Sequence, residues 1–147
     1  VEFAEIEVLQ REARWQEATQ CMVEAGRALE AAGADFIVLC TNTMHKLAPE
    51  MEAGITIPLL HIADATAGAV KAAGITRVGL LGTRFTMEQD FYKERLSGKH
   101  GLEVLIPAAA DREIVHNVIY NELCLGVVRQ ESRAQFSRII DRLAAVG

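Results

Sequence analysis

The segment Phe36–His45 places small polar side chains directly after an apolar run. Thr41, Asn42 and Thr43 offer hydroxyls, an amide and backbone N–H groups, a combination that suits a small carboxylate. In open parallel sheets, ligands bind beyond the carboxyl ends of the strands, where helix N-termini present N–H groups to anions. The segment therefore marks a candidate ligand site, and Thr83 lies at an equivalent position after a second apolar run. Residues of these types also cap helices without binding a ligand, so both interpretations stay open.

The cysteines are the other candidates for chemistry. Cys40 lies at the strand tip, where nearby helix N-termini favour a thiolate. Side chains alternate along a strand, so if Thr41 faces the ligand, Cys40 faces elsewhere and packs against its neighbours. Cys21 lies in an apolar helical stripe and Cys124 near a helix end, and both are interpreted as small core residues. An odd set of cysteines without CxxC or Cys/His ligand spacing predicts no disulfide framework and no metal site, and favours the reducing cytoplasm.

Length and composition narrow the function classes. The 147 residues carry a formal charge of −5, and half of them are apolar, as in ordinary globular proteins. The acidic balance offers no basic face for nucleic acid. No apolar run approaches the ~20 residues that span a bilayer, so no membrane partner is expected. Glycine-rich phosphate loops of either the GxGxxG or the GxxxxGK[ST] type are absent from the sequence, which disfavours nucleotides.

Helical and strand-like patterns alternate along the chain. One helix is predicted from apolar residues spaced three or four apart, and it ends before Gly33; these residues are Trp15, Ala18, Met22, Ala25 and Leu29. A continuous apolar run at Phe36–Leu39 predicts a strand covered on both faces. Pro58–Ile62 is interpreted as another buried strand, and further strands are predicted at Arg77–Leu81 and Leu102–Ile106. Thr86 and Gln89 match a capping box that opens a helix. The alternation predicts an α/β fold with a mostly parallel sheet.

An internal repeat suggests that the chain is a fragment. Helix ends at Gly33 and Gly74 each lead into a buried strand and then into small polar residues. A third copy of the helix end stops at Gly147, so we expect a further strand with a polar tip beyond it. At the other end, Val1-Glu2-Phe3 is interpreted as the remnant of a first strand. Both termini are therefore expected to be truncated.

Several motifs together resemble the aspartate/glutamate racemase family, whose members racemise amino acids without pyridoxal phosphate. The resemblance covers nearly the whole chain and is closest to a bacterial branch of broad-specificity amino-acid racemases. The motifs that carry it are Leu39–His45, Leu60–Thr66, Gly79–Tyr92 and Asn121–Gly126.

The family fold implies two similar α/β lobes with the active site between them. By resemblance, residues 1–62 belong to the first lobe, with its start missing, and residues 63–147 to the second, with its end missing. The implied reaction is racemisation without a cofactor, in which one group removes the α-proton and another returns a proton on the opposite face. The implied partner is a small amino-acid substrate, and a homodimer is a further expectation.

The family normally places a cysteine immediately before Asn-Thr, whereas Thr41 stands there in this chain and Cys40 lies one position earlier. The resemblance therefore assigns the catalytic position to Thr41, substrate binding to Asn42 and Thr43, and a substrate contact to Gln10. Cys40, Cys124 and Thr83 become neighbours of the pocket.

The second family cysteine lies in a Gly-Cys-Thr motif that this chain lacks and that we expect beyond Gly147. The fragment alone is accordingly predicted to be inactive. Two alternatives stay open: a non-catalytic module that binds amino acids or dicarboxylates, and a related isomerase or decarboxylase of the same superfamily.

Overall fold

The computed structural model describes residues 1–146, and it divides the chain into a first unit, Val1–Ile62, and a second unit that begins at Ala63. Each unit contains a pair of short parallel strands accompanied by helices. The predicted α/β class with parallel strands is therefore confirmed. Among the described residues, no helix combines the length and apolar character needed to cross a bilayer.

The elements of the first unit, in chain order, are helix α1 (Phe3–Arg11), helix α2 (Trp15–Ala31), strand β1 (Ile37–Val38), a 3₁₀ turn (Thr43–Leu47), helix α3 (Ala48–Gly54) and strand β2 (Leu59–Leu60). Strands β1 and β2 pair in parallel, with Ile37 opposite Leu59. Helix α2 ends where the sequence predicted, because Gly33 adopts a φ of +90° that favours glycine.

The amino-terminal segment differs from the prediction. Residues 1–3 were expected to be part of a strand, but Phe3 begins α1. Ile6 and Leu9, spaced three apart, are both buried in the core of the first unit. This spacing turns one face of a helix toward the core, which a strand of period two could not do. Gln10 consequently lies on a helix rather than after a strand.

The strands of the first unit are covered on one face only. Ile37 and Leu39 are buried, whereas Phe36, Val38 and Leu60 are half exposed or more. The prediction that continuous apolar runs are buried on both faces is therefore wrong within this unit. The core that includes Ile37 lies on one side of the sheet, and side chains alternate between faces along a strand.

The elements of the second unit, in chain order, are α4 (Ile62–Ala72), β3 (Arg77–Gly79), α5 (Arg84–Glu88), α6 (Asp90–Glu94), a π-helical turn (Arg95–Lys99), β4 (Glu103–Leu105), α7 (Ala109–Asn121), a 3₁₀ turn (Leu123–Leu125) and α8 (Gln130–Val146). Strands β3 and β4 pair in parallel, with Val78 opposite Val104. Met87, Val115 and Ile139 form a buried cluster that joins α5, α7 and α8.

The start of α5 corrects the predicted capping box. Thr83, not Thr86, is the N-cap, and its Oγ1 accepts a hydrogen bond from the backbone N–H of Thr86 at 3.3 Å. Thr86 lies inside the helix and is buried. A Cβ at Gly82 would lie 3.1 Å from Cβ of Thr86, so this close approach fits glycine. The N-cap of this helix therefore lies three residues earlier than predicted.

Candidate functional site

A cavity in the first unit brings together two residues that the sequence singled out. Gln10 from α1 and Thr41 from the segment after β1 both line it, and its volume is about 170 Å³. The rest of the described lining is apolar and comes from α1, α2, the 3₁₀ turn and the first residue; these residues are Val1, Phe3, Ile6, Met22 and Met44. We call this space the Gln10–Thr41 cavity. It combines a hydroxyl and an amide with an otherwise apolar wall.

Helix periodicity explains why Gln10 reaches the cavity. Phe3, Ile6 and Gln10 are separated by three and four residues, so they lie along one face of α1. Gln10 is only 6% exposed, and its Nε2 donates a hydrogen bond to Sδ of Met44 at 3.0 Å. Buried amides require partners, and this contact ties α1 to the 3₁₀ turn that follows Thr41.

His45 holds the backbone at the strand tips. Its Nδ1 lies 2.6 Å from the carbonyl oxygen of Thr41, and its Nε2 accepts a hydrogen bond from the backbone N–H of Ile62 at 3.1 Å. A carbonyl only accepts and a backbone N–H only donates, so a neutral imidazole protonated on Nδ1 satisfies both contacts. The side chain is 1% exposed, and its ring lies 4.3 Å from that of His61 between centroids. His45 thus positions Thr41.

The remaining residues of the polar tip differ in accessibility. Asn42 is exposed, and Thr43, the first residue of the 3₁₀ turn, is buried with 4% of its surface accessible. Thr41 is half-buried. Thr41 and Asn42 are therefore accessible to a ligand from solvent, and Thr43 is the least accessible of the three.

The cysteines are not buried as the sequence suggested. Cys21, Cys40 and Cys124 are all exposed. Cys21 directly precedes the buried Met22 on α2 and so falls outside the buried stripe. Cys40 directly follows the buried Leu39 just beyond β1, and successive side chains of an extended chain point to opposite sides. The thiol of Cys40 donates to the carbonyl oxygen of Val38 at 3.8 Å.

Neither Cys21 nor Cys40 is among the described residues that line the Gln10–Thr41 cavity. Cys124 lies in the 3₁₀ turn after α7, in the second unit, rather than on the preceding helix. Thr83, the other candidate pocket neighbour, caps α5 in that unit.

The second unit has its own concentration of charge. Asp64 on α4 accepts two hydrogen bonds from the guanidinium of Arg95 at 2.8 Å each, and Lys99 and His100 also contact its carboxylate at 2.7 and 2.8 Å. The Arg95 hydrogen bonds in particular hold the pKa of the Asp64 carboxyl well below its ordinary value, with His100 and Lys99 adding to the effect. Such a bidentate arrangement anchors α4 to the π-helical turn.

Sequence reasoning missed the apolar wall of the cavity. Phe3 is not a candidate on the sequence alone because residues 1–3 are interpreted there as a strand remnant, and the sequence motifs give Ile6 no role. Their helical spacing with Gln10 was the signal that could have identified them. The sequence places Met44 in the Leu39–His45 motif but assigns it no role of its own.

Comparisons with known proteins agree on one family. A sequence model described as Asp/Glu/Hydantoin racemase matches residues 4–147. The broad specificity amino-acid racemase RacX of Bacillus subtilis (strain 168) is 32% identical over 89 residues, which are 60% of this chain and 38% of RacX.

Similar solved structures also carry racemase descriptions. A crystal structure from Yersinia pestis, assigned provisionally as an Asp/Glu racemase, is 54% identical with a TM-score of 0.89, and the match covers 100% of this chain and 64% of that one. An aspartate racemase homologue from Pyrococcus horikoshii OT3 is 33% identical with a TM-score of 0.71, covering 86% of this chain and 55% of that one. The chain therefore spans less than two thirds of the length of each of these relatives.

Proposed function

The chain belongs to the Asp/Glu/hydantoin racemase family, and from this premise we propose that the intact protein racemises an amino acid without a cofactor. Aspartate, glutamate or a broader set of amino acids are the candidate substrates. Inversion requires a group on each side of the α-carbon, one to remove the proton and one to return it. The resemblance to a broad specificity amino-acid racemase supports an amino acid as the substrate.

One observation carries the assignment of roles. Thr41, at the position where the family keeps a thiol, lines the same cavity as Gln10. We assign to Thr41 the transfer of a proton on one face of the α-carbon, directly or through a water molecule. Asn42 and Thr43 would hold the substrate carboxylate, and Gln10 would contact the substrate. A hydroxyl is a far weaker acid than a thiol, so the two sides of this reaction are chemically unequal.

The group on the opposite face is proposed to be a thiol from another part of the intact protein. Cys40, the nearest cysteine in sequence to Thr41, is turned toward the carbonyl oxygen of Val38. The family's Gly-Cys-Thr motif is not present in the 147 residues. We therefore expect the 147-residue chain by itself not to exchange α-protons.

The test is exchange of the α-proton of L-amino acids in heavy water, catalysed by the full-length protein and followed by NMR. Thr41→Ala should abolish exchange while binding is retained, and Thr41→Cys should retain exchange because it restores the family's thiol. Cys40→Ser is the matched control and should leave exchange unchanged, since this exposed side chain does not line the cavity. Absence of exchange with every amino acid tested would refute the proposal.

The hydroxyl at position 41 also favours a second candidate function, a non-catalytic module that binds amino acids or dicarboxylates. In that case neither wild type nor Thr41→Ala would exchange protons, although both would bind ligand. A related isomerase or decarboxylase of the same superfamily would instead turn over its substrate without exchanging an amino-acid α-proton. Turnover assays with hydantoins, maleate and malonates distinguish these reactions.

A further inference from the structure

We propose that the Gln10–Thr41 cavity accepts an uncharged aliphatic side chain of the substrate, of about the size of leucine or methionine, in preference to the carboxylate of aspartate or glutamate. This inference rests on the proposed function, because it assigns a substrate class to the same site. It concerns binding, however, and can be tested without turnover.

The wall of the cavity is the first reason. Ile6, Met22 and Met44 are buried in the core and contribute hydrocarbon and thioether surface to the cavity. A cavity of about 150 Å³ lined by aliphatic and aromatic residues is large enough to bind benzene. The cavity here measures about 170 Å³ and therefore has room for a four-carbon side chain, which is smaller than benzene. Burial of that side chain against this wall is favourable.

The distribution of charge is the second reason. Residues 1–62 carry ten acidic and four basic side chains, a formal charge of −6. The described lining of the cavity contains no charged side chain. Each basic side chain of the first unit has a contact elsewhere: Arg11 with Glu7, Arg14 with Glu12 and Glu17, Arg27 with the carbonyl oxygen of Gly54, and Lys46 with the ring of Trp15.

An acidic side chain in this cavity would thus face an apolar wall, within a negatively charged unit, beside no cationic side chain of that unit. Burying a carboxylate without a charged partner is strongly unfavourable. An aliphatic side chain has no such penalty. The amide of Gln10 is engaged with the sulfur of Met44, so it contributes a dipole rather than a counter-charge.

The methionines extend the range of side chains that would fit. Met22 and Met44 are unbranched and polarisable, and side chains of this kind adapt to several shapes. The cavity should therefore accept leucine, methionine and valine with similar affinity and discriminate mainly against charge.

The same methionines provide the assay. The chain contains Met22, Met44, Met51 and Met87, and only the first two line the cavity. The methionine methyl groups of the full-length protein are labelled with ¹³C, those of these four residues are assigned, and the protein is titrated with L-leucine, L-aspartate and L-glutamate. Because the α-amino and α-carboxyl groups are common to all three, differences report on the side chain.

We expect L-leucine to shift the Met22 and Met44 signals saturably and to leave Met51 and Met87 unchanged. Aspartate and glutamate should require at least about tenfold higher concentrations, which corresponds to ~1.4 kcal/mol. The proposal is wrong if aspartate saturates the same signals at equal or lower concentration, or if none of the amino acids shifts them.

A charge-introducing variant sharpens the test. Phe3 lines the cavity but is 56% exposed, so Phe3→Lys places an ammonium group at the site with little risk to folding. This variant should weaken leucine binding and strengthen aspartate binding. Leu29→Lys makes the same chemical change at a 52% exposed position of α2 outside the lining, and it should alter neither affinity. An unchanged preference in Phe3→Lys would overturn the proposal.

Failure of this inference is distinguishable from failure of the proposed function. Selective binding of leucine without α-proton exchange in the full-length protein would refute the racemase proposal and would support the inferred preference for aliphatic side chains. Exchange confined to aspartate and glutamate would refute the preference for aliphatic side chains and would support the racemase proposal.

Discussion

His45 allows a quantitative test of how the strand tip is held. Replacing it with phenylalanine keeps a planar ring of similar size but removes the contact with the Thr41 carbonyl and the acceptor for the Ile62 N–H. The imidazole is 1% exposed, so water replaces only part of its two contacts. We therefore expect a loss of stability from missing hydrogen bonds rather than from altered packing.

The magnitude follows from the two contacts. A typical hydrogen bond contributes a net ~0.5–1.5 kcal/mol, and a buried group left without its partner costs about 1–3 kcal/mol. Thr41 and Ile62 are each half-buried, so part of the penalty is recovered by water. We expect His45→Phe to lower the free energy of unfolding of the first unit by about 2–4 kcal/mol. His45→Gln, which can reach only one of the two partners, should lose about half as much.

Urea denaturation followed by tryptophan fluorescence measures this change. Trp15 is the single tryptophan of the sequence and lies at the start of α2, so its signal reports the first unit alone. With a urea m-value of about 1–2 kcal/mol/M for so small a unit, the midpoint should fall by at least ~1 M. Cys40→Ser, an exposed change close to Thr41, is the control and should stay within about 0.5 kcal/mol of wild type.

A His45→Phe midpoint indistinguishable from that of the Cys40→Ser control would refute this reasoning. It would mean that the imidazole contacts do not stabilise the segment that carries Thr41. Equal losses in His45→Phe and His45→Gln would contradict the assignment of two separate hydrogen bonds.

Two further predictions concern charge and packing. Asp64→Asn should destabilise the second unit by about 1–3 kcal/mol in thermal unfolding followed by circular dichroism, and Asp90→Asn, at an exposed site, by less than about 0.5 kcal/mol. The folded-state pKa of Asp64 is lowered, so its contribution is complete above its unfolded pKa of about 3.9 and shrinks progressively as the pH falls from there toward the folded-state pKa. The difference between wild type and Asp64→Asn should therefore narrow as the pH is lowered below about 3.9. Gly54→Ala should cost about 1–3 kcal/mol by Trp15 fluorescence, since the new Cβ would lie 2.6 Å from Cγ1 of Val23. Gly68→Ala, which meets nothing within 4 Å on α4, should instead stabilise by up to about 1 kcal/mol, and an equal effect of the two alanines would contradict the packing argument.

Helix α2 and the parallel strand pairs were predictable because their signals are local. Apolar residues at helical spacing need one buried face, and Gly33 ends the helix with a backbone conformation that other residues adopt at a cost. Apolar runs between helical segments imply parallel pairing, since each crossover returns the chain in the same direction. These features depend on residues close together in sequence.

The start of α5 was not predictable in the same way. Thr83 and Thr86 both have side chains able to cap a helix, and Thr86 has the additional Gln89 signal. The structure uses Thr83 because the turn at Gly82 brings the chain close to Thr86 and buries it. Burial of Thr86 is a tertiary outcome that local capping preferences do not contain.

The exposure of strand and cysteine side chains was also beyond local signals. Leu39 and Cys40 are neighbours in an apolar run, yet one is buried and the other exposed. The run predicts a strand but not which of its faces the helices cover. That choice depends on where α2 and α3 pack, which involves residues distant in sequence.

The sequence by itself determined which polar residues follow β1, and the resemblance of their motif is the basis for expecting Thr41 at the position of the family's thiol. Only the tertiary structure decided that Gln10 shares a cavity with Thr41, that Gln10 donates a hydrogen bond to Met44, and that His45 contacts the carbonyl oxygen of Thr41. The physical reason is the range of the interactions. Residue types and short spacings can be read directly from the sequence. The apolar wall of a cavity, in contrast, forms only when helices separated in sequence pack against one another.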